Sequence, residues 1–264
     1  MKNVSNDLVG NVLILRFHKF HFNFTKKCFA KKMMKQTNNI TTVLEKTDNI
    51  TGELRIPKLK YLVGEKTFET SYRENGCTFN FDLSKTYFSP RLSNERNVIS
   101  DMVVKLCKKN KTNRILIMFA GVCPYPIVIA KKLKKMNFKY EIFSNELNKE
   151  ANIYAAKNVR INKVQDNFTF VNGDAKKLSS NKIGKFDIIL MPRPNLDNTF
   201  LDTAIKLSKN GTTIFYHGFG TKEKVLDEIK KNTKGKIGKI QIRKAGDIAP
   251  HKYRWQAIFK TKLK

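Results

Sequence analysis

The sequence predicts an α/β protein, with a doubly wound, mostly parallel sheet over 93–264 and a small α+β module ahead of it over 1–92. Three observations lead there. From about residue 93, apolar strand-like runs alternate with helical stretches, the rhythm of successive β–α units. Two of those runs, RILIMF (114–119) and FDIILM (186–191), are almost wholly apolar, as strands buried on both faces must be. Finally, a glycine or a carboxylate closes three of the strands at their carboxyl ends, where open α/β sheets bind ligands.

Taken in order, the first module holds the strand-like runs NVLILRF (11–17), TTVLEK (41–46), KYLV (60–63), FETSY (68–72) and CTFNFDL (77–83), with one helix at about 24–35. Phe20, Phe22 and Phe24 alternate with His21 and Asn23 at strand period and read as core or domain packing. In the second half, Ser93 or Asn94 is placed to cap a helix reaching about residue 109. After RILIMF come a helix over 126–135, YEIFSN (140–145), a helix over 150–162 and NFTFVN (167–172). FDIILM then leads into a helix over 199–208, the strand GTTIFYHGF (211–219), a helix over 221–232, and two closing strands, KIQIRKA and WQAIFK.

The 52 Lys and Arg residues against 22 Asp and Glu leave a net charge of +30. That imbalance repels itself in a compact chain and points to a polyanion as partner, with a Lys-rich compositional bias contributing. The tracts KKCFAKKMMK (26–35), KKNKTNR (108–114) and KKLKK (131–135) could contact phosphates, which position a nucleic acid without reading it; each is equally a solvated helix face. Cys28, Cys77, Cys107 and Cys123 form no CxxC pair and have no histidine at metal spacing, so no zinc site is expected. No apolar run reaches the ~18 residues of a membrane span, and the first residues lack a signal-peptide core. The expectation is a cytoplasmic monomer without metal.

The strand ends carry the chemistry. RILIMF runs through Phe119 into Ala120-Gly121-Val122-Cys123-Pro124, where Gly121 lets the backbone turn close to a ligand. Glu146-Leu147-Asn148 follows the next strand, and a carboxylate there can accept both ribose hydroxyls of a nucleotide. Gly173-Asp174-Ala175 follows the third, where an acid could accept from an adenine amino group; a plain Gly-Asp turn fits that dipeptide as well. Gly121, then Glu146 25 residues on, then Asp174 28 beyond, is more specific than any one of them. The arrangement resembles the class I S-adenosylmethionine-dependent methyltransferases, which have a Rossmann-like fold, and the missing GxGxxG argues against a dehydrogenase. The fourth strand ends in Met191-Pro192-Arg193-Pro194, a stiff wall.

YFSPRLSNER (87–96), MFAGVCP, SNELN, NGDA and IILMPRP with FLDTA resemble the tRNA guanosine-37 N1-methyltransferases of archaea and eukaryotes. DLVGNVLILRF, TGELRIPKLKYLVGE and ETSYRENGCTFNFDLSK resemble that family's middle domain, so the likeness starts near residue 7, without the extra N-terminal domain of many archaeal members. The resemblance implies S-adenosylmethionine as cofactor, tRNA bound at its anticodon stem-loop, and methyl transfer to N1 of guanosine 37. It implies Glu95 as general base, Arg55 as stabiliser of charge on guanine O6, and Arg96 as a cofactor contact. Tyr87 and Arg91 would line the pocket, while Phe119, Gly121, Glu146, Leu147, Asn148, Asp174, Ala175 and Met191 would surround the cofactor. Pro192 stands where the family often has an asparagine that helps hold the base. The chemistry suits these types: a carboxylate whose pKa is raised by partial burial can take the N1 proton, and an arginine can stabilise the charge left on O6. Alternatives are a wyosine-pathway methyltransferase or aminocarboxypropyltransferase acting at the same position, and a non-catalytic RNA-binding protein.

Overall fold

Alternating apolar residues in the first module build a four-stranded sheet. The computed structural model describes residues 4–17, 22–48, 52, 54–108, 113–249 and 252–263. Strands β1 (Ser5–Val9), β2 (Val12–Arg16), β3 (Thr42–Lys46) and β4 (Leu59–Gly64) lie in that order, β2 and β3 parallel and the other neighbours antiparallel. Helix α1 (Asn23–Gln36) makes the crossover between the parallel pair and seats Ala30 among Leu13, Leu15, Val43 and Leu62. Strand β1 escapes the sequence reading because SNDLV is mostly polar and exposed. Phe22 and Phe24 correct another expectation: they are 80% and 79% exposed, because the helix starts at Asn23 and breaks the strand period, while Phe20 lies outside the described residues.

The next hairpin packs mainly with the second half of the chain, and it also meets the first sheet, with Val9, Val12 and Leu44 in its core and Thr70 donating to Val9 O at 2.6 Å. Strands β5 (Glu69–Glu74) and β6 (Cys77–Asp82) are joined by Asn75-Gly76, both at positive φ, the two-residue turn that suits twisted strands. Phe79 and Phe81 sit in one core with Ile99, Val103, Ile115 and Val128. Asn158 Oδ1 accepts from the Asn80 amide at 2.8 Å, and the Asn162 side chain both accepts from Thr78 N (3.0 Å) and donates to Thr78 O (2.7 Å). Two asparagines thus satisfy a strand edge that would otherwise stay unpaired. The first sheet ends at Gly64, ahead of the boundary expected after residue 92. At Gly10 an added Cβ would stand 2.2 Å from Ser71 O, so only glycine lets the β1–β2 turn approach the hairpin.

Helix α2 (Ser93–Cys107) is fixed to the hairpin by a buried ion pair. Arg96 donates through Nε and Nη2 to the two oxygens of Glu74, both side chains 2% exposed, and Nη2 also donates to Ser89 O at 3.1 Å. The expected Ser93 or Asn94 cap is absent: the cap position is Leu92, without a side-chain hydrogen bond, because a 3-10 turn over Pro90–Leu92 runs directly into the helix.

The second sheet has seven strands in the order β12-β13-β11-β10-β7-β8-β9. They are β7 (Asn113–Ile117), β8 (Tyr140–Glu146), β9 (Phe168–Asn172), β10 (Phe186–Met191), β11 (Ser208–Gly220), β12 (Gln241–Ala249) and β13 (Lys252–Lys260). Neighbours from β9 through β11 are parallel, and β13 and β12 add an antiparallel edge. Helices α3 (Pro124–Lys135), α4 (Lys149–Ile161), α5 (Leu201–Lys206) and α6 (Lys222–Thr233) connect them. Helix α5 is shorter than the expected 199–208 because Phe200 takes a left-handed conformation and Ser208 already pairs in β11. Chain order reverses between β7 and β10, which opens a crevice at their carboxyl ends. Among the described residues no helix is long and apolar enough to cross a membrane.

Replacing Glu74 by Ala leaves the Arg96 guanidinium buried without a counter-charge and is expected to cost about 3–5 kcal/mol. A urea titration checks this; a loss below ~1 kcal/mol would show that the pair does not hold the hairpin to α2.

Candidate active site

The crevice is a cleft of about 1190 Å³, open at its mouth, and it collects residues from every strand end picked out in the sequence. The loop after β7 winds tightly, with Phe119, Gly121 and Cys123 at φ of 57°, 57° and 66°. That winding points Gly121 N at Glu146 Oε2 (2.7 Å), while Asn148 N donates to Oε1 (2.8 Å). Burial pushes the Glu146 carboxyl above its ordinary value against these amides. Asn148 caps α4 by accepting from Glu150 N (2.9 Å) and ties in the first half through a 2.8 Å bond from its Nδ2 to Lys85 O. Asp174 accepts from Lys176 N at 2.9 Å. Asn145 joins β8 to the next strand end by donating to Val171 O and Gly173 O (2.8 and 2.9 Å). Phe119, Gly121, Glu146, Leu147, Asn148, Asp174 and Ala175 all line the cleft, as expected. Cys123 is inert: its Sγ lies 3.0 Å from Ser144 Oγ, and burial pushes its thiol up to about 12.

Two expected pocket residues lie elsewhere. Met191 is fully buried in the core on the other side of β10, because side chains alternate along a strand and Pro192 is the one that faces the cleft. Arg91 points outward, its side chain 77% exposed and paired with Asp7 at 2.6 Å. Arg96 does line the cleft, but its guanidinium is engaged by Glu74.

The far end of the cleft is lined by Arg55, Tyr87, Tyr125, Pro192, Arg193, His217 and Arg254. Arg55 adopts φ 54°, and its guanidinium lies 5.0 Å from the Tyr87 ring centroid. Pro192 and Pro194 form the stiff wall, braced by Arg193, which donates to Leu196 O (2.7 Å) and Glu228 Oε1 (2.8 Å).

Glu95 itself is one layer behind this wall. Its Oε1 accepts from Arg243 Nη2 at 2.7 Å and stands 3.5 Å from His217 Nε2, and neither contact uses Oε2. The expected upward pKa shift is corrected: burial alone would raise the Glu95 carboxyl, but His217 and Arg243 together hold it below its ordinary value. It is therefore ionised and ready to accept a proton, though it must reach past His217 to do so. Burial in turn keeps His217 neutral, with Glu95 pulling its pKa up and Arg254 and Arg243 pushing it down. His217, Tyr125, Arg243 and Arg254 were missed by sequence reasoning. The available signal was a histidine inside the largely buried strand β11; Arg243 and Arg254 stand among other polar residues in β12 and β13, so nothing local marked them.

Known proteins match this chain along its length. The TRM5/TYW2 methyltransferase domain matches residues 70–242, and the TYW2 N-terminal domain matches residues 4–67. The chain belongs to the TRM5/TYW2 family. The two matches meet between Thr67 and Thr70. Trm5b of Pyrococcus abyssi, a tRNA (guanine(37)-N(1))-methyltransferase, is 32% identical over 216 residues, which cover 82% of this chain and 60% of that protein. Taw22 of Nanoarchaeum equitans, a tRNA (guanine(37)-N(1))/4-demethylwyosine(37)-methyltransferase, is 47% identical over 135 residues, 51% of this chain and 42% of that protein. The chain thus spans less than two thirds of either relative's length. Among solved TRM5/TYW2 structures, aTrm5 in complex with tRNALeu superimposes with a TM-score of 0.82 at 26% identity, over 97% of this chain and 72% of that one.

Because folding holds the His217 pKa below its unfolded value, the unfolded chain binds the extra proton, and stability falls as pH drops below about 6.5. The groups facing His217 are Glu95 from α2, Tyr125 from α3, Arg243 from β12 and Arg254 from β13. His217→Asn is expected to remove up to about 1.4 kcal/mol of pH dependence per unit between pH 6.5 and 5, leaving a flatter curve than the wild type in thermal melts. Parallel curves would show that the imidazole is not held neutral.

Proposed function

We propose that the chain transfers a methyl group from S-adenosylmethionine to N1 of guanosine 37 in tRNA, with the anticodon stem-loop as the bound element. One observation supports this reading: a single cleft is lined both by Gly121, Glu146 and Asp174, residues suited to a nucleoside, and by Arg55, with Glu95 behind His217. The cofactor fits the residues present. Glu146 is a buried carboxylate at a strand end suited to ribose hydroxyls, Asp174 suits an adenine amino group, and Leu147, 42% exposed, offers an apolar face at the mouth. When bound, the cofactor supplies an electrophilic methyl carbon on a sulfonium, a leaving group that needs no acid.

The chain's own work is at the acceptor. A purine inside a stem-loop must leave its stack to reach such a cleft, and Tyr87 and the proline wall offer faces for it. Guanine N1 carries a proton at neutral pH, and Glu95 Oε2 is the oxygen left free to take it. As that proton leaves, negative charge moves to O6, where Arg55 can stabilise it. Arg55 Nε is buried without a partner, as a donor reserved for a ligand would be.

A second reading adds 4-demethylwyosine to the substrates. It is favoured by the 47% identity to Taw22 and by Pro192, which cannot donate the hydrogen bond of an asparagine to the base. Incubation of tRNA transcripts, and of tRNA carrying 4-demethylwyosine at position 37, with methyl-labelled cofactor, followed by nucleoside mass spectrometry, tests both. Label in 1-methylguanosine, lost when guanosine 37 is replaced, is the expected result; label only in a wyosine-type nucleoside would overturn the first reading. Glu95→Gln is expected to slow single-turnover transfer roughly 10²–10⁴-fold while cofactor affinity stays near wild type. An unchanged rate would remove Glu95 from the role of base.

A further inference from the structure

Arginines line the cleft at four positions, and two of them have no hydrogen-bond or ion-pair partner among the described residues. Arg96 is engaged by Glu74 and Arg193 by Glu228 and Leu196 O. The side chains of Arg55 and Arg254 make no hydrogen bond or ion pair with any described residue, and each keeps a buried Nε unsatisfied. Burying cations without a counter-charge is unfavourable, and two of them facing one cavity repel each other as well. With no counter-charge bonded to them among the described residues, both suit something negative bound in the cleft.

Arg254 is placed by the antiparallel edge. Strand β13 pairs with β11 so that Arg254 lies opposite Phe219, and Gln256 opposite His217, with the Arg254 guanidinium 5.5 Å from the Phe219 ring centroid. Its electrostatic neighbours are Tyr87, Tyr125, Arg55 and Glu95, the acceptor end of the cleft rather than the nucleoside end. Glu95 offsets its charge only in part, through space, since its Oε1 is engaged by Arg243 and His217 and no hydrogen bond joins it to Arg254.

We infer that Arg254 is a second guanidinium for the reacting base, sharing with Arg55 the negative charge that develops on guanine O6 when the N1 proton leaves. This rests on the proposed N1-methylation. A carbonyl oxygen has two lone-pair directions, so one oxygen can accept from both arginines at once. The neutral ground-state base draws little on them, and the oxyanion draws fully, so their effect is concentrated in the transition state. A backbone phosphate is the rival occupant; it would be gripped before reaction and would make binding, not chemistry, depend on Arg254.

The test compares wild type, Arg254→Gln and Arg254→Lys on the same tRNA transcript. Single-turnover rates are taken at saturating enzyme, tRNA affinity by filter binding at two salt concentrations, and fold and cofactor affinity by melting and titration. Arg254→Gln is expected to slow transfer roughly 10²–10³-fold with tRNA affinity within about twofold of wild type, and Arg254→Lys to recover part of the rate. Combined with Arg55→Gln it is expected to lose less than the product of the single losses, because both act on one oxygen. A weakened, more weakly salt-dependent affinity with an unchanged saturated rate would assign Arg254 to a phosphate instead. An unchanged rate and affinity would make it framework. Should Arg254→Gln fail to fold, the lysine variant decides: a wild-type rate there overturns the inference. If wild type itself binds cofactor but makes no 1-methylguanosine, the N1-methylation reading fails and the inference with it; an active wild type matched by Arg254→Gln sinks the inference alone.

Discussion

The paired hydrogen bonds between Arg96 and Glu74 are the contact on which the site's geometry rests. Both groups are almost completely buried, so the bonds form in a medium where charge attraction is strong and a missing partner is costly. Glu74 closes the β5 strand of the hairpin, and Arg96 stands in the first turn of α2. The pair therefore sets where that turn lies against the hairpin, and with it the position of Glu95 one residue earlier. The same arginine stacks 4.9 Å from the Phe88 ring centroid and faces the cleft, so hairpin, linker and cofactor end share one fixed point.

Around that point the cleft separates its charges. Glu146, held by two backbone amides, and Asp174 line one part, while the guanidiniums of Arg55 and Arg254 stand near Tyr87. Glu95 lies behind His217, ionised because Arg243 and His217 outweigh burial. Such a carboxylate is a weak base at rest. Loosening of Arg243 would raise its basicity when substrate is present, since donors that favour the charged form are what hold its pKa down.

Much of this was legible because strand-end chemistry sits in short, continuous motifs. Gly121, Glu146 and Asp174 each come after an apolar run and meet in the cleft as the spacing implied. What the sequence hid depends on three-dimensional pairing. Side-chain alternation turns Met191 into core while its neighbour Pro192 faces the cleft. The Asp7 carboxylate, 84 positions away, draws Arg91 outward. Arg243 reaches Glu95 across 148 positions, and no local pattern announces such a partner. Phe22 and Phe24 fit a strand by period alone, and only the start of α1 decides against it. The hairpin's allegiance likewise rests on Asn158 and Asn162, whose roles emerge only once α4 lies against β6.

The account stands on a carboxylate and a guanidinium closing on one purine beside a bound nucleoside. The most direct measurement is a crystal structure of the protein with a non-reactive cofactor analogue and an anticodon stem-loop. The account predicts guanosine 37 turned out into the cleft, Glu95 Oε2 within about 3 Å of N1, and Arg55 at O6. A purine seated in the cleft with Glu95 still behind His217, bound to Arg243 and out of reach of N1, would contradict it.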